Sequence, residues 1–170
     1  MSLDGYLATK DYDLSWLSVV QAEEGQDYGY EAFNQQVDTY IVGRSTYDVV
    51  LQLTGGVFPQ AERHDCYVIT RSERESKDGV TFYNGNIQSL INSLQSKEGK
   101  DIYVDGGAEI VKLLMQEHLI DEYIISIIPI ILGDGKRLFK GGVEREDLKL
   151  VESKSYPSGL VQVHYKRKTS

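Results

Sequence analysis

The sequence is poor in the residue types that staple, coordinate or anchor a chain. Its one cysteine, Cys66, excludes an internal disulfide framework and any site built on paired cysteines. Three histidines, His64, His118 and His164, show neither HExxH nor HxxxH spacing, so no metal is expected. Only three prolines occur, and no stretch is rich in Ser, Pro or Gly, so no linker is expected. Positive charge is the scarcer sign: 18 Lys and Arg against 26 Asp and Glu give a net charge of −8, and the pI is 4.9. An acidic surface repels a phosphate backbone, so no nucleic-acid partner is expected. The longest mainly apolar run, Ile124 to Leu132, is interrupted by Ser126 and Pro129. It is about half the length of a membrane-spanning helix, so no membrane partner is expected either. Asp4 follows Met1 almost at once, which argues against a charged-then-apolar leader; the expectation is a soluble cytoplasmic protein.

What is present is ordinary globular composition, with 41% hydrophobic and 26% charged residues over 170 positions. That length suits one domain covering residues 1–170. Short β-rich runs alternate with helical patterns. Val37–Val42 ends at Gly43, Cys66–Thr70 at Arg71-Ser72, Val80–Tyr83 at Asn84-Gly85, and Asp101–Val104 leads into Gly106-Gly107. Asn86 is placed to cap a helix whose Ile87, Leu90, Ile91 and Leu94 recur at helical spacing, with Gly99 at its end. Ala108–His118 carries a broad apolar face. Strand alternating with helix predicts an α/β fold with a mainly parallel sheet flanked by helices. The last third differs. Glu122–Leu132 is a strand candidate with a bend at Pro129, and Leu148–Val151 and Leu160–Tyr165 predict a C-terminal antiparallel hairpin around Pro157-Ser158-Gly159.

Chemistry is expected where strands end, because ligands of parallel sheets bind along the carboxyl edge. Gly43-Arg44-Ser45-Thr46 follows one strand and Thr70-Arg71-Ser72 another. Two arginines and several hydroxyls there suit a phosphate monoester, although either Arg alone could be a solvated loop residue. Val104-Asp105-Gly106-Gly107-Ala108-Glu109 runs from a strand into a helix, and two glycines let backbone N–H groups approach a pyrophosphate. A tight turn also needs glycine for steric reasons alone, and the GxGxxG fingerprint of the ordinary dinucleotide fold is absent. No GxSxG elbow exists, Cys66 sits within a strand as core packing, and most of the 12 tyrosines occupy strand positions that cover a core edge.

One ordered set of segments is more specific: Ser2-Leu3-Asp4-Gly5-Tyr6-Leu7-Ala8, Trp16, Gly43-Arg44-Ser45-Thr46-Tyr47, Thr70-Arg71, Gly106-Gly107-Ala108-Glu109 and Pro129-Ile130-Ile131-Leu132-Gly133-Asp134-Gly135. Taken together, they resemble the dihydrofolate-reductase-like superfamily, and within it the branch of the bacterial riboflavin-biosynthesis reductase domain. The resemblance spans essentially the whole chain and implies an NADPH-dependent reductase. It assigns Gly43, Arg44, Ser45 and Thr46 to the cofactor phosphates and Thr70 and Arg71 to the adenosine 2′-phosphate. Gly106, Gly107, Ala108 and Glu109 match the pyrophosphate loop, and Leu7 and Ala8 the loop beside the nicotinamide. Ser126 matches a hydroxyl facing the substrate ring, and Asp4 is the carboxylate that best fits the branch's motif, its other role being to cap the turn before Gly5.

The substrate nearest the resemblance is 5-amino-6-(5-phosphoribosylamino)uracil, within a wider class of small pterin-like or pyrimidine-like heterocycles. Where folate reductases carry a carboxylate five residues after Trp16, this chain has Gln21, which cannot donate that proton, so weak folate reduction is the most that is expected. Glu23, Glu24 and Asp105 are the other nearby carboxylates. A different class of function is a non-catalytic NADP(H)-binding protein that has lost the substrate site. Exposed edge strands and the habits of the branch imply a homodimer. Relatives carry a full strand before SLDG. The expectation is therefore that roughly six to ten further β-forming residues precede Met1, or that Met1–Leu3, another segment or a second chain takes that strand's place.

Overall fold

The computed structural model describes residues 1–20 and 26–168. The elements in chain order are β1 (Tyr6–Ala8), α1 (Tyr30–Asn34), β2 (Val37–Gly43), α2 (Arg44–Leu53), β3 (Asp65–Ile69), β4 (Val80–Tyr83) and α3 (Ile87–Gln95). They continue with β5 (Asp101–Gly106), α4 (Ala108–Gln116), β6 (Glu122–Ile127), β7 (Lys136–Arg137), β8 (Leu148–Ser155) and β9 (Val161–Arg167). The elements group into two compact units, one of residues 29–114 and one of residues 1–28 with 115–170. The fold is mixed α/β, with a four-stranded parallel sheet flanked by helices and a separate antiparallel sheet.

In the unit of residues 29–114 the strand order is β4-β3-β2-β5, every pair parallel. Central β2 is apolar on both faces, and Ile41 and Val42 are fully buried. One face packs Tyr40, Val42, Cys66, Val68 and Val80 against Tyr47 and Phe58. Removing such side chains from water is the main stabilising contribution of the sheet. Helix α3 begins where its cap predicts, with the Asn86 side chain accepting from the Ser89 N–H at 2.9 Å, and it buries Ile87, Leu90 and Ile91. It stops at Gln95, short of Gly99. That glycine instead lies against Asp38, whose Oδ2 accepts from the Lys100 N–H at 2.6 Å and would sit 2.7 Å from a Cβ at position 99.

In the other unit the antiparallel order is β6-β9-β8, and β8 and β9 form the predicted hairpin. All eight residues of edge strand β8 are exposed. The strand predicted over Glu122–Leu132 ends at Ile127, because the chain folds tightly around Pro129 with the Ile130 N–H donating to Ile128 O at 2.7 Å. The first residues take a strand-like place beside this turn. The Met1 amino group donates to Ser126 O at 2.6 Å. The Ile128 N–H donates to Met1 O at 2.8 Å and the Leu3 N–H to Ile130 O at 2.9 Å, with Ser2 and Ile128 paired in parallel. The core here is Trp16, Val20, Ile128 and Leu160, closed by Tyr28 and Tyr156 in an edge-to-face pair at 4.9 Å. Short β1 pairs antiparallel with β7. Among the described residues no helix is long and apolar enough to cross a membrane.

Candidate functional site

Three strand ends meet along the carboxyl edge of the parallel sheet. Val42 is in register with Gly106, and Gly43 with Ile69, so β2, β3 and β5 deliver their following residues to one rim. A Cβ at Gly43 would lie 2.9 Å from Ile110 Cγ1 and 3.4 Å from the Gly107 nitrogen, and a Cβ at Gly107 would lie 2.9 Å from Thr46 Oγ1. The two strand-to-helix turns therefore touch through glycines. Gly106 has φ +107° and its peptide bond to Gly107 is cis. The Ile110 and Val111 N–H groups donate to Gly107 O at 2.9 and 3.2 Å, which starts α4 directly behind the turn. Helices α2 and α4 both open at this rim, where the first-turn N–H groups and the helix dipole favour an anion.

The arginines differ in how they are held. Arg44 Nε donates to Asp48 Oδ1 at 2.7 Å, and its guanidinium carbon lies 5.8 Å from the Phe82 ring and 6.0 Å from the Tyr47 ring. Arg71 is exposed and makes no ion pair among the described residues. It follows Thr70, whose N–H donates to Tyr83 O at 2.9 Å and whose hydroxyl accepts from the Ser72 N–H at 3.3 Å. Gly43, Arg44, Ser45, Thr46, Thr70, Arg71, Gly106, Gly107, Ala108 and Glu109 thus belong to one unit and one rim.

A half-buried carboxyl, Asp105, stands directly before this glycine turn. Residues 103 and 105 share a face of β5, and Tyr103 Oη donates to Asp105 Oδ1 at 3.2 Å. The Tyr40 hydroxyl, from the neighbouring strand, bonds the same carboxyl. Burial pushes Asp105 above the usual carboxylate range, and the two tyrosine hydrogen bonds, which pull the other way, do not offset it. Burial likewise drives both tyrosines far above the ordinary phenol value. From the sequence alone Asp105 is only one of several nearby carboxylates. The alternation Tyr103-Asp105 next to a Tyr-bearing strand was the available signal.

Asp4, Leu7, Ala8 and Ser126 lie in the other unit. Asp4 accepts from Ser2 Oγ at 2.7 Å, the Gly133 N–H at 2.7 Å and the Leu132 N–H at 3.1 Å. The Ser2 bond, followed by the backbone donors, holds its carboxyl below the usual range despite some desolvation. Asp4 therefore joins the SLDG turn to the LGDG loop. Ser126 Oγ accepts from Gln162 Nε2 at 3.2 Å, its cross-strand partner on β9. Leu7 and Ala8 are in β1, and Gly135 approaches the Ala8 carbonyl so closely that a Cβ there would collide with the oxygen. Trp16 is buried, and its indole N–H has no partner among the described residues. Gln21, Glu23 and Glu24 lie outside the described residues. Among the described residues no cluster of three metal-ligating side chains occurs.

The sequence profile of the RibD C-terminal domain matches residues 1–162. The chain is 41% identical over 168 residues to the uncharacterized protein YwjB of Bacillus subtilis (strain 168), covering 98% of this chain and 94% of that protein. It is 32% identical over 178 residues to uncharacterized YyaP of the same organism, covering 97% and 90%. A crystal structure named as a putative riboflavin biosynthesis protein from Shewanella sp. PV-4 superposes with a TM-score of 0.89 at 31% identity, over 99% of this chain and 96% of that one. The fold is also that of a diaminohydroxyphosphoribosylaminopyrimidine deaminase/5-amino-6-(5-phosphoribosylamino)uracil reductase from Thermotoga maritima, with TM-score 0.71 and 19% identity. The chain spans 54% of that larger protein.

Proposed function

This chain belongs to the RibD C-terminal domain family, and we propose from that premise that it is an NADPH-dependent reductase of a small heterocycle. The nearest activity is reduction of 5-amino-6-(5-phosphoribosylamino)uracil. The observation that carries this reading is the meeting of Gly43, Thr46 and Gly107 at a rim that also bears Arg44, Thr70 and Arg71. A Cβ at Gly43 or Gly107 would strike Ile110 Cγ1 or Thr46 Oγ1, so the glycines let the two turns pack against each other and bring the first-turn N–H groups of α2 and α4 to one rim, an arrangement that fits the cofactor's phosphates.

When bound, NADPH supplies the hydride, and the chain's task is binding, orientation and local charge. Gly43, Arg44, Ser45 and Thr46, with Gly106, Gly107, Ala108 and Glu109, take the phosphates. Thr70 and Arg71 take the 2′-phosphate that separates NADPH from NADH, and a guanidinium suits it because it donates two parallel hydrogen bonds. Leu7 and Ala8 serve the nicotinamide, and Ser126 offers a hydroxyl to the substrate. Asp4, ionised and bonded to two backbone N–H groups and a serine hydroxyl, acts as a positioning residue rather than as an acid. Asp105 is the carboxyl whose surroundings favour the protonated form.

The test is NADPH oxidation by purified protein across a panel of ribosylated pyrimidines, pterins and their unphosphorylated forms. Turnover with at least one heterocycle is expected. Tight NADPH binding with no turnover across the panel would instead leave a non-catalytic cofactor-binding protein.

A further inference from the structure

Strand β8 ends the antiparallel sheet, whose order is β6-β9-β8, and no further strand pairs with its outer edge among the described residues. It runs from Leu148 to Ser155 with every residue exposed, Leu150 at 50% and Val151 at 49%. An open edge of that length is a row of unpaired N–H and C=O groups that another strand can extend. Sheets usually discourage such pairing with lysines and bulges, and β8 has both. Lys149 and Lys154 lie along it, and its register against β9 shifts between Leu150 and Glu152, which leaves Val151 as the extra residue.

The bulge decides which side chains share a face. Lys149, Glu152 and Lys154 stand opposite Lys166, His164 and Gln162 of β9, so these three lie on one face. Leu148, Leu150 and Ser153 stand opposite Arg167, Tyr165 and Val163 and lie on the other. In a regular strand, residues three apart such as Lys149 and Glu152 would point to opposite faces. Here they agree, and that opens one antiparallel pairing of β8 with the β8 of a second copy about a two-fold axis. In it Lys149 meets Glu152 of the second copy, Leu150 meets Val151 and Asp147 meets Lys154, and the symmetry repeats each contact. Asp147 still belongs to the ladder, since the Lys168 N–H donates to its carbonyl at 2.9 Å. A slip by one residue puts opposed side chains on different faces. A slip by two sets Lys149 against Lys154 in one direction and Asp147 against Glu152 in the other, like charges in both cases.

We propose that two copies of this chain associate edge to edge through β8 in this register, joining their three-stranded sheets into one. The lysines and the bulge then reject other strands and other registers while accepting this one. Within its own sheet Lys149 stands opposite another lysine, and the second copy supplies an acid. Glu152, which meets Lys154 of its own chain at 3.0 Å, comes to lie between two lysines. A paired edge of this length buries less than the roughly 1,600 Å² of a standard interface, so the expected dimer is a reversible one that forms at micromolar concentrations. Association by this edge is independent of what the chain catalyses.

The experiment is sedimentation equilibrium of the full chain over a range of concentrations, for the wild type, for Lys149→Glu, for Glu152→Lys and for the two variants mixed in equal amounts. Thermal unfolding of each variant serves as the folding control. The wild type should show a monomer–dimer equilibrium. Each variant alone turns an attractive contact and its symmetry mate into repulsive ones, which should weaken self-association about tenfold or more. The mixture should form a heterodimer about as tight as the wild-type dimer, because opposite charges meet again at both contacts. Amide exchange of wild-type residues 148–153 should slow as concentration rises, and that of β4, the edge strand of the parallel sheet, should not. A wild type that stays monomeric throughout, a dimer that neither variant weakens, or folded variants that do not associate when mixed would overturn the proposal. Where a variant fails to fold, the wild-type exchange decides: no slowing confined to β8 would overturn it equally.

Discussion

Gly135→Ala tests whether the contact between β1 and β7 is as tight as the structure shows. The new Cβ would collide with the Ala8 carbonyl oxygen and approach Ala8 C at 3.2 Å and Thr9 Cα at 3.3 Å, all of them backbone atoms that cannot rotate away. Gly135 also has φ +148°, a conformation that side chains rarely adopt. Overpacking typically costs about 1–3 kcal/mol, and a residue held in a sparsely populated backbone region about 1–3 kcal/mol more. A total near 3 kcal/mol corresponds to a fall in Tm of about 6–12 °C for a chain of this length. Gly133→Ala is the internal comparison. It sits in the same loop with φ +77°, yet a Cβ there meets nothing within 4 Å, so it incurs only the backbone strain. Its Tm should fall by about 2–4 °C, for a cost of about 1 kcal/mol. The assay is thermal unfolding of both variants beside the wild type at one protein concentration. Equal shifts for the two variants, or an unchanged Tm in Gly135→Ala, would refute the reasoning.

Other expectations concern titratable groups of the parallel-sheet unit that are wholly or partly withdrawn from water. The folded state binds the Asp105 proton more tightly than the unfolded chain does. Its contribution is therefore complete below the ordinary carboxyl pKa of about 3.9 and is lost as pH rises through the raised folded value. The Tm difference between Asp105→Asn and wild type should accordingly grow in favour of the variant as pH rises from 4 to 8; a flat difference would contradict it. The Cys66 thiol is 2% exposed and burial pushes its pKa up to about 12. It should resist a thiol-specific disulfide reagent in the native protein at pH 8 and react fully in denaturant, whereas rapid native labelling would show the core to be more open.

The elements that could be read from the sequence were those with a strong local pattern. The apolar strands ending at Gly43, Ile69, Tyr83 and Gly106 and the Asn86-capped helix all stand within a few residues of expectation. The hairpin around Pro157-Ser158-Gly159 does too, because its alternation and its turn chemistry agree. What escaped was non-local. Short β1 and β7 carry too few residues to show a period, and they exist because Gly135 can approach Ala8 across more than a hundred residues. The partners of Asp4 are equally remote: the segment of Ser2–Gly5 and the loop of Leu132–Gly133 were each conspicuous, yet nothing in either indicated that a carboxylate joins them. For the site, the glycines and arginines at strand ends could be picked out singly. Their meeting at one rim follows from the order β3-β2-β5, which only the pairing of the strands fixes. Asp105 was visible as a residue but the upward shift of its carboxyl was not, since that depends on the desolvation the folded sheet imposes, against which the Tyr40 and Tyr103 hydrogen bonds act.

The central claim is that the rim formed by β2, β3 and β5 binds NADPH and recognises its 2′-phosphate. Calorimetric titration of NADPH and of NADH into the wild type and Arg71→Ala tests it directly. Tighter binding of NADPH than of NADH by the wild type is predicted, with about tenfold or greater weakening of NADPH in Arg71→Ala and nearly unchanged NADH. Equal affinity of the wild type for the two dinucleotides, or binding of neither, would contradict the account.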